Sequence, residues 1–220
     1  MQTGIGIAAL ALVSYLTGAF PTAVIVGRLL RSIDIREHGS HNAGATNAWR
    51  VLGWRAGVTV MVVDCAKGVI ATLVVPLIPL AVGGLPPQII AMICGLAAVV
   101  GHVFPVYVRF RGGKGIATAA GMLVGIAPIP AGIALGVFLL MISSFGKVSL
   151  GSIIASISVP VSMATLNAWT ALGYHPALIA LTSLLACFVI YTHRANLSRL
   201  LRGEERSFER LKLWKRLLRR

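Results

Sequence analysis

The stretch GIATAAGMLVGIAPIPAGIALGVFLLMISSFG, residues 115–146, decides how often this chain can cross a membrane. It contains no charged side chain over 32 residues, whereas one membrane-spanning helix needs about 20. The prolines of its central segment APIP, residues 127–130, favour a turn. We therefore predict two short helices between residues 115 and 146, in place of one long span.

The composition places the whole chain in a membrane. Hydrophobic residues make up 57% of the 220 residues and charged residues only 12%, which is outside the range of soluble proteins. The net charge of +14 also suits a nucleic-acid binder, but in a membrane protein basic loops on the cytoplasmic side explain it first. The three cysteines lie inside apolar runs and are expected to be buried thiols, not disulfide partners or metal ligands.

The distribution of Lys and Arg predicts the topology. Five further apolar runs lie near residues 4–27, 57–80, 88–108, 149–171 and 175–193. Basic residues fall in the loops 31–56, 109–115 and 144–150, and the turns near 81–87, 127–131 and 170–175 contain none. The positive-inside rule then favours seven transmembrane helices, with the N-terminus outside and the C-terminus cytoplasmic. The first run has no basic start, so we expect a spanning helix with a kink at Pro21 and not a signal peptide.

This topology gives an all-α integral membrane domain over residues 1–193, followed by a basic cytoplasmic tail over residues 194–220. The tail holds half of the twenty basic residues. Apolar residues recur in it near helical spacing, which suits an amphipathic helix on the inner leaflet. These residues are Leu197, Leu200, Leu201, Phe208, Leu211, Trp214 and Leu218.

The longest cytoplasmic loop contains DIREHGSHNAGATNAWRVLG, residues 34–53. It combines small residues, which leave backbone N–H groups accessible, with several side chains that donate hydrogen bonds. Such a combination suits phosphate or another oxyanion. A solvated, capped connector is the alternative interpretation. The candidate ligands are Ser40, Asn42, Thr46, Asn47 and Arg50.

The second loop reads RFRGGKGIAT, residues 109–118. Gly112, Gly113 and Gly115 around Lys114 allow the backbone to approach an anion, and a helix that begins after them adds a partial positive charge. The loop is not a nucleotide P-loop, because Gly115 stands where that motif requires Ser or Thr after the lysine. Anchoring of its basic residues at the membrane interface is the alternative, although it does not explain the glycines.

Further polar residues flank the third loop and lie inside one apolar run. His193 and Asn196 share a helix face by their spacing, and for His193 a capping or interfacial role is the alternative. His102 is expected to serve helix packing. Asp64 and Lys67, three residues apart, are expected to form an ion pair that orients their helix.

Three ordered segments together resemble the bacterial acyl-phosphate:glycerol-3-phosphate acyltransferases, the PlsY family. They are residues 34–53, the segment GHVFPVYVRFRGGKGIATAAG at 101–121, and KVSLGSI at 147–153 followed by HRANLSRLLRGEE at 193–205. The similarity extends into SYLTGAFPTAVIVGRLL, residues 14–30, of the first span.

The resemblance implies a seven-helix enzyme without cofactor or metal. It would transfer a fatty acyl group from acyl phosphate to the 1-hydroxyl of sn-glycerol 3-phosphate, giving lysophosphatidic acid and phosphate, as the first step of phospholipid synthesis. It would act in the cell inner membrane among lipids, with its site facing the cytoplasm and no nucleic-acid partner. The family is thought to use the substrate phosphate, instead of a protein base, to deprotonate the hydroxyl.

The loop composition, the Asp64–Lys67 spacing and the resemblance together assign residues to three roles, and the resemblance supplies the catalytic residues, the glycines and Glu205. The catalytic residues are Ser40, Arg50, Lys114, Ser149, His193 and Asn196. The substrate phosphate would contact Gly112, Gly113, Gly115, Asn42, Thr46 and Asn47, and the backbone N–H groups of the glycines would cradle it. Structural support would come from Asp64, Lys67 and Glu205, with Glu205 paired to a nearby cation.

One departure and two alternatives accompany this assignment. His41 stands where the family has glycine, so a positive φ at this position would be adopted at a cost. A transporter of a phosphorylated metabolite would also place basic residues near spans, but it should offer polar access from both sides. A structural scaffold would tolerate bulky residues in the glycine loop.

Overall fold

The computed structural model of the chain describes residues 2–208, and within them there is no β-strand. The predicted all-α class is therefore confirmed. The chain divides into two compact units, the first ending at Ala127 and the second beginning at Pro128.

The first unit contains six α-helices. Helix α1 ends at Ala19 and α2 begins at Thr22, so the break falls at Pro21 as predicted. Short 3₁₀ turns at Ile35–Glu37 and Val106–Val108 lie in the first and second predicted site loops. The helices are α1 (Gln2–Ala19), α2 (Thr22–Arg31), α3 (Ala45–Leu52), α4 (Trp54–Leu73), α5 (Pro87–Val103) and α6 (Ile116–Ile126).

Glycines bring the long helices of the first unit into close contact. Gly18 of α1 and Gly101 of α5 each lie against the backbone of the other helix, and Gly68 of α4 and Gly121 of α6 do the same. A Cβ atom at any of the four would overlap that backbone. Small residues of this kind allow membrane helices to pack by van der Waals contact. The loop that follows α5 connects these two pairs, because α5 belongs to one and α6 to the other.

The described part of the second unit, up to residue 208, contains four α-helices, of which α7 packs on α8, α8 on α9, and α10 on both α8 and α9. Asn167 closes the turn between α8 and α9 with two hydrogen bonds to the backbone of Tyr174, each 2.7 Å long. The helices are α7 (Pro128–Phe145), α8 (Val148–Trp169), α9 (Pro176–Thr192) and α10 (Arg194–Leu201).

The predicted break within residues 115–146 is present, since α6 ends at Ile126 and α7 begins at Pro128. Helix α10 ends at Leu201 and a non-helical segment continues to residue 208, so the predicted tail helix is not continuous. Its remaining residues, 209–220, lie outside the described part of the chain.

Several described helices are long and apolar enough to cross a membrane, as expected from composition. Five segments meet this test, and a sixth does so if α9 and α10, bent by 64°, form one span. Helix α6 is apolar but has only 11 residues. The five are Gln2–Arg31, Trp54–Leu77, Pro87–Val108, Pro128–Phe145 and Val148–Trp169.

Candidate active site

Asn47, at the start of α3, organises the first predicted site loop. Its side chain is 1% exposed. Its Oδ1 accepts from the backbone N–H of Ser40 at 2.8 Å. Its Nδ2 donates to the carbonyls of Ile35 and His38, each at 3.0 Å. Both amide hydrogens are thereby used, so the prediction that Asn47 donates to phosphate is corrected: it shapes the loop that presents Ser40.

His41 adopts the conformation that the glycine of the family pattern would favour. Its φ is +58°, in the left-handed region where residues with a Cβ atom are disfavoured. The imidazole Nδ1 lies 3.1 Å from the carbonyl oxygen of Arg36, and the side chain is exposed. The tight turn expected after Ser40 is therefore formed, with a strained residue in it.

Arg36 connects the first loop to the second. Its Nη2 lies 2.6 Å from Asp34 Oδ2, and its Nη1 donates to the carbonyl of Val108 at 2.8 Å. The hydrogen bond from the Arg36 side chain, the backbone hydrogen bond and the positive charge together outweigh desolvation and lower the pKa of Asp34 to about 2. The sequence predicts Arg36 only as one of the basic loop residues, because the carbonyl it reaches is 72 residues away.

The glycine loop, residues 112–115, is docked onto the end of α5. The N–H of Gly112 donates to the carbonyl of Val103 at 3.2 Å, and the N–H of Gly113 donates to the carbonyl of His102 at 3.1 Å. These two N–H groups therefore do not cradle a phosphate, which corrects the prediction. The N–H groups of the first turn of α6, from Ile116, lack partners within their own helix and suit an anion instead.

The other predicted residues of the first unit lie on or beside these two loops. Ser40 is exposed, Asn42 and Thr46 are half-buried, Arg50 lies in the last turn of α3, and Lys114 is half-buried directly before α6. Gly115 has a φ of +84°, which suits glycine and turns the chain into that helix.

Asp64 and Lys67 form the ion pair predicted from their spacing. Their side chains are 2% and 5% exposed, and Lys67 Nζ lies 2.6 Å from Asp64 Oδ1. Lys67 also donates to the carbonyl of Phe20, at the break between α1 and α2, at 2.5 Å. Thr22 donates to Asp64 at 3.0 Å. The pair therefore fixes the α1–α2 break against α4, which is a structural role.

Glu205 binds two of the predicted site residues of the second unit, Ser149 and Asn196. Its Oε1 accepts from Ser149 Oγ and from Asn196 Nδ2, each at 2.6 Å, and its Oε2 lies 2.8 Å from Arg199 Nε. Burial raises the pKa of Glu205, but the three hydrogen bonds and the Arg199 charge outweigh burial and lower it. Because Ser149 gives its one proton to Glu205, its oxygen offers lone pairs to other groups. The predicted cation partner of Glu205 is Arg199.

His193 lies at the junction of α9 and α10 and is 4% exposed. Its Nδ1 lies 2.9 Å from the carbonyl oxygen of Val189. A carbonyl only accepts hydrogen bonds, so Nδ1 carries the proton of this hydrogen bond. The ring is thus held in one orientation at the start of α10.

The described residues contain no group of three or more His, Cys, Asp or Glu side chains placed to hold a metal ion. Cys65, Cys94 and Cys187 are free thiols.

Comparison with known proteins identifies the family. The family profile described as Glycerol-3-phosphate acyltransferase matches residues 8–203. This chain belongs to the glycerol-3-phosphate acyltransferase family. A relative of that name from Chlorobaculum tepidum is 44% identical, over 90% of this chain and 94% of its own. Another, from Salinibacter ruber, is 41% identical, over 88% of this chain and 89% of its own.

The glycerol-3-phosphate acyltransferase fold is also matched by solved structures. The crystal structure of PlsY in its glycerol 3-phosphate form has a TM-score of 0.80 and 34% identity, over 93% of this chain and 96% of that chain. The lysophosphatidic acid form has a TM-score of 0.78 and 33% identity, over 94% and 98%. PlsY is an integral membrane protein. This acyltransferase is accordingly a multi-pass membrane enzyme.

The geometry of this acyltransferase suits anionic substrates more than acid–base catalysis by carboxylates. Of the five acidic residues in the described part of the chain, four are held in ion pairs with Arg or Lys, at 2.6–2.8 Å. A carboxylate held by a cation is a weakened base. The four are Asp34, Asp64, Glu204 and Glu205.

Proposed function

We propose that this chain transfers a fatty acyl group from acyl phosphate to the 1-hydroxyl of sn-glycerol 3-phosphate, giving lysophosphatidic acid and inorganic phosphate. The observation that carries the proposal is the similarity, over nearly the whole chain, to a structure solved in a glycerol 3-phosphate form and a lysophosphatidic acid form. These two molecules are the acceptor and the acylated product of this reaction. The reaction would be the first acylation in phospholipid synthesis.

Acyl phosphate is the proposed donor because phosphate is both a leaving group and a base. The glycerol hydroxyl oxygen forms a bond to the acyl carbonyl carbon, and the bond from that carbon to the phosphate oxygen breaks. The departing phosphate takes the hydroxyl proton, so atoms and charge balance without a protein base. The pairing of four of the five carboxylates within residues 2–208 with cations supports this proton route. The basic loops would then accelerate the step by positioning and by stabilising negative charge.

Within the first unit, we assign phosphate binding to Arg50, Lys114 and the first turn of α6. Arg50 offers a planar guanidinium that can bind phosphate in a bidentate manner, and Lys114 offers a point charge. Ser40, presented by the loop that Asn47 shapes, and the neighbouring Asn42 and Thr46 would supply neutral donors.

Within the second unit, we keep Ser149, His193 and Asn196 as catalytic residues. Their burial or partial burial and their hydrogen bonds to Glu205 or Val189 support the assignment, because each side chain is held in one orientation. A group held before substrate binds does not need to reorganise during the reaction.

The proposed setting is the inner membrane, with seven crossings, the N-terminus outside and the substrate loops in the cytoplasm. The loops after α2, α5 and α7 contain the basic residues and the outer turns contain none, which supports this orientation. A fatty acyl chain could then remain among lipids while the anionic ends of both substrates meet the basic loops.

The proposal is tested with purified protein given acyl phosphate and glycerol 3-phosphate, with phosphate release as the measurement. We expect Lys114→Ala to lower kcat/KM about 100-fold, since removing one charged contact to a developing anion costs about 3 kcal/mol. Arg109→Ala is the matched control from the same loop, and because we assign Arg109 to the membrane interface we expect near wild-type activity. Full activity in Lys114→Ala would contradict the assignment of Lys114.

A further inference from the structure

We infer that His102 is a positioning residue for the glycine loop, and that the buried Asp64–Lys67 pair holds its imidazole in place. The inference rests on the proposed role of this loop and of the following helix in phosphate binding. It gives a function within the reaction to three buried polar side chains, those of His102, Asp64 and Lys67.

The first evidence comes from the side of the imidazole that faces the glycine loop. His102 is buried at the end of α5, and its backbone carbonyl already accepts from the N–H of Gly113. A Cβ atom added to Gly113 would overlap the imidazole, with Nε2 the nearest atom. Gly113 has no positive φ, so its backbone would accept another residue. What excludes a side chain at position 113 is the imidazole ring.

The opposite side of the imidazole faces the buried ion pair. His102 Nδ1 lies 3.7 Å from Asp64 Oδ1, the same oxygen that accepts from Lys67 and Thr22. Lys67 is tied in turn to the carbonyl of Phe20. The ring thus lies between the glycine loop and a carboxylate that Thr22 of α2 and Lys67 of α4 hold in place.

A small cavity is bordered by both groups of residues. Its lining includes Thr22, Asp64 and Lys67 together with His102, Gly112 and Gly113. Burying an ion pair within a membrane-spanning helix is costly, and such residues are retained where they serve a function. Here the function is to fix the position of the glycine loop relative to the end of α5. That position in turn determines where Lys114 and the first turn of α6 lie.

A double-mutant cycle tests this inference through KM. Gly113→Ala is expected to raise KM for one or both phosphate substrates about tenfold, because the new methyl group lifts the loop off the ring. His102→Ala removes the obstacle, so the Gly113→Ala change in that background is expected to raise KM less than about threefold further. KM is measured separately for glycerol 3-phosphate and for acyl phosphate. The substrate whose KM rises is the one whose phosphate group the loop positions.

Gly112 provides the matched control. A Cβ atom at Gly112 would meet the backbone carbonyl of His102, not its side chain. Truncating the imidazole therefore cannot relieve Gly112→Ala, and this variant should show the same penalty in both backgrounds. Gly4→Ala, in α1 with open space around it, should leave activity unchanged.

The inference would be overturned if Gly113→Ala raised KM equally in the wild-type and His102→Ala backgrounds. It would also be overturned if the variants changed only the amount of active protein and left KM constant. If His102→Ala does not fold, His102→Asn replaces it, because Asn keeps a polar group toward Asp64 and lacks the ring atoms near Gly113. A wild-type protein without acyl transfer would instead defeat the proposed function. The two failures are therefore distinguishable.

Discussion

His41 is a residue whose cost to the fold can be measured directly. It holds a φ of +58° in an exposed turn, and a strained residue of this kind costs about 1 kcal/mol or more relative to glycine. We expect His41→Gly to raise the free energy of unfolding by about 0.5–1 kcal/mol after the loss of its hydrogen bond to Arg36. Thermal unfolding in detergent is the measurement.

His38 is the matched control for this prediction. It is also an exposed histidine of the same loop, and its Nδ1 lies 3.1 Å from a backbone carbonyl oxygen, that of Asp34. Its φ is −127°, so glycine offers no relief there and His38→Gly should destabilise the protein. A stabilisation of equal size in both variants would mean that backbone strain at His41 is not the cause.

The Asp34–Arg36 pair gives the first loop a pH-dependent stability. The pKa of Asp34 is about 2 in the folded chain against 3.8 for an unperturbed Asp. A lowered folded pKa contributes stability above the unfolded value, and this contribution is lost as pH falls through about 2. We expect Asp34→Asn to lower the unfolding midpoint at about pH 6 and to differ little from wild type near pH 2.

Glu37→Gln, at an exposed carboxylate of the same turn, is the control and should change stability by less than about 0.5 kcal/mol. A difference between Asp34→Asn and wild type that stays constant across this pH range would contradict the pairing.

Ion pairs between residues close in sequence could be predicted. The acceptor to which each individual N–H group donates could not. Asp64 and Lys67 pair because helical periodicity brings positions three apart together, which spacing alone predicts. Asn47, Gly112 and Gly113 were assigned to phosphate from their chemistry. Their N–H groups are taken by carbonyls of the surrounding chain, and which carbonyls lie nearby depends on tertiary packing.

At the scale of elements, the proline-marked breaks were the most predictable features. Pro21 separates α1 from α2, and Pro128 begins α7 directly after α6. Proline lacks an N–H and restricts the residue before it, so a local rule suffices. The segment after α10 was not predicted, because Glu205 is held by side chains of α8 and α10 and not by its own neighbours.

Helix α4 depends on the balance of its buried charges. Lys67→Met leaves Asp64 buried without its cation, and we expect a loss of about 3–5 kcal/mol in the free energy of unfolding. The double variant Asp64→Leu/Lys67→Met should recover much of this loss, because an apolar pair has no desolvation cost. Thermal or denaturant unfolding in detergent measures both.

The exposed pair of Arg202 and Glu204 is the control for α4. Their side chains are 57% and 58% exposed, and Arg202→Met should cost less than about 1 kcal/mol. If Lys67→Met costs no more than Arg202→Met, the buried pair does not hold α4 in place.

At the scale of the whole molecule, composition alone predicted the all-α membrane class, and ordered motifs predicted the family. Hydrophobicity is a property of the whole chain, so a wrong interpretation of one position does not change the predicted class. Helix ends could be placed within a few residues, but the division of the chain at Ala127 and Pro128 into two compact units was not expected. Which helices pack together depends on close approaches such as Gly68 against α6, and one sequence does not specify the partner.

The most direct measurement is the joint yield of lysophosphatidic acid and phosphate by the purified enzyme in lipid vesicles. With acyl phosphate and glycerol 3-phosphate present, we expect the two products in equal amounts, and neither when one substrate is omitted. Phosphate release that does not require glycerol 3-phosphate, or glycerol 3-phosphate that accumulates inside the vesicles without being acylated, would contradict acyl transfer.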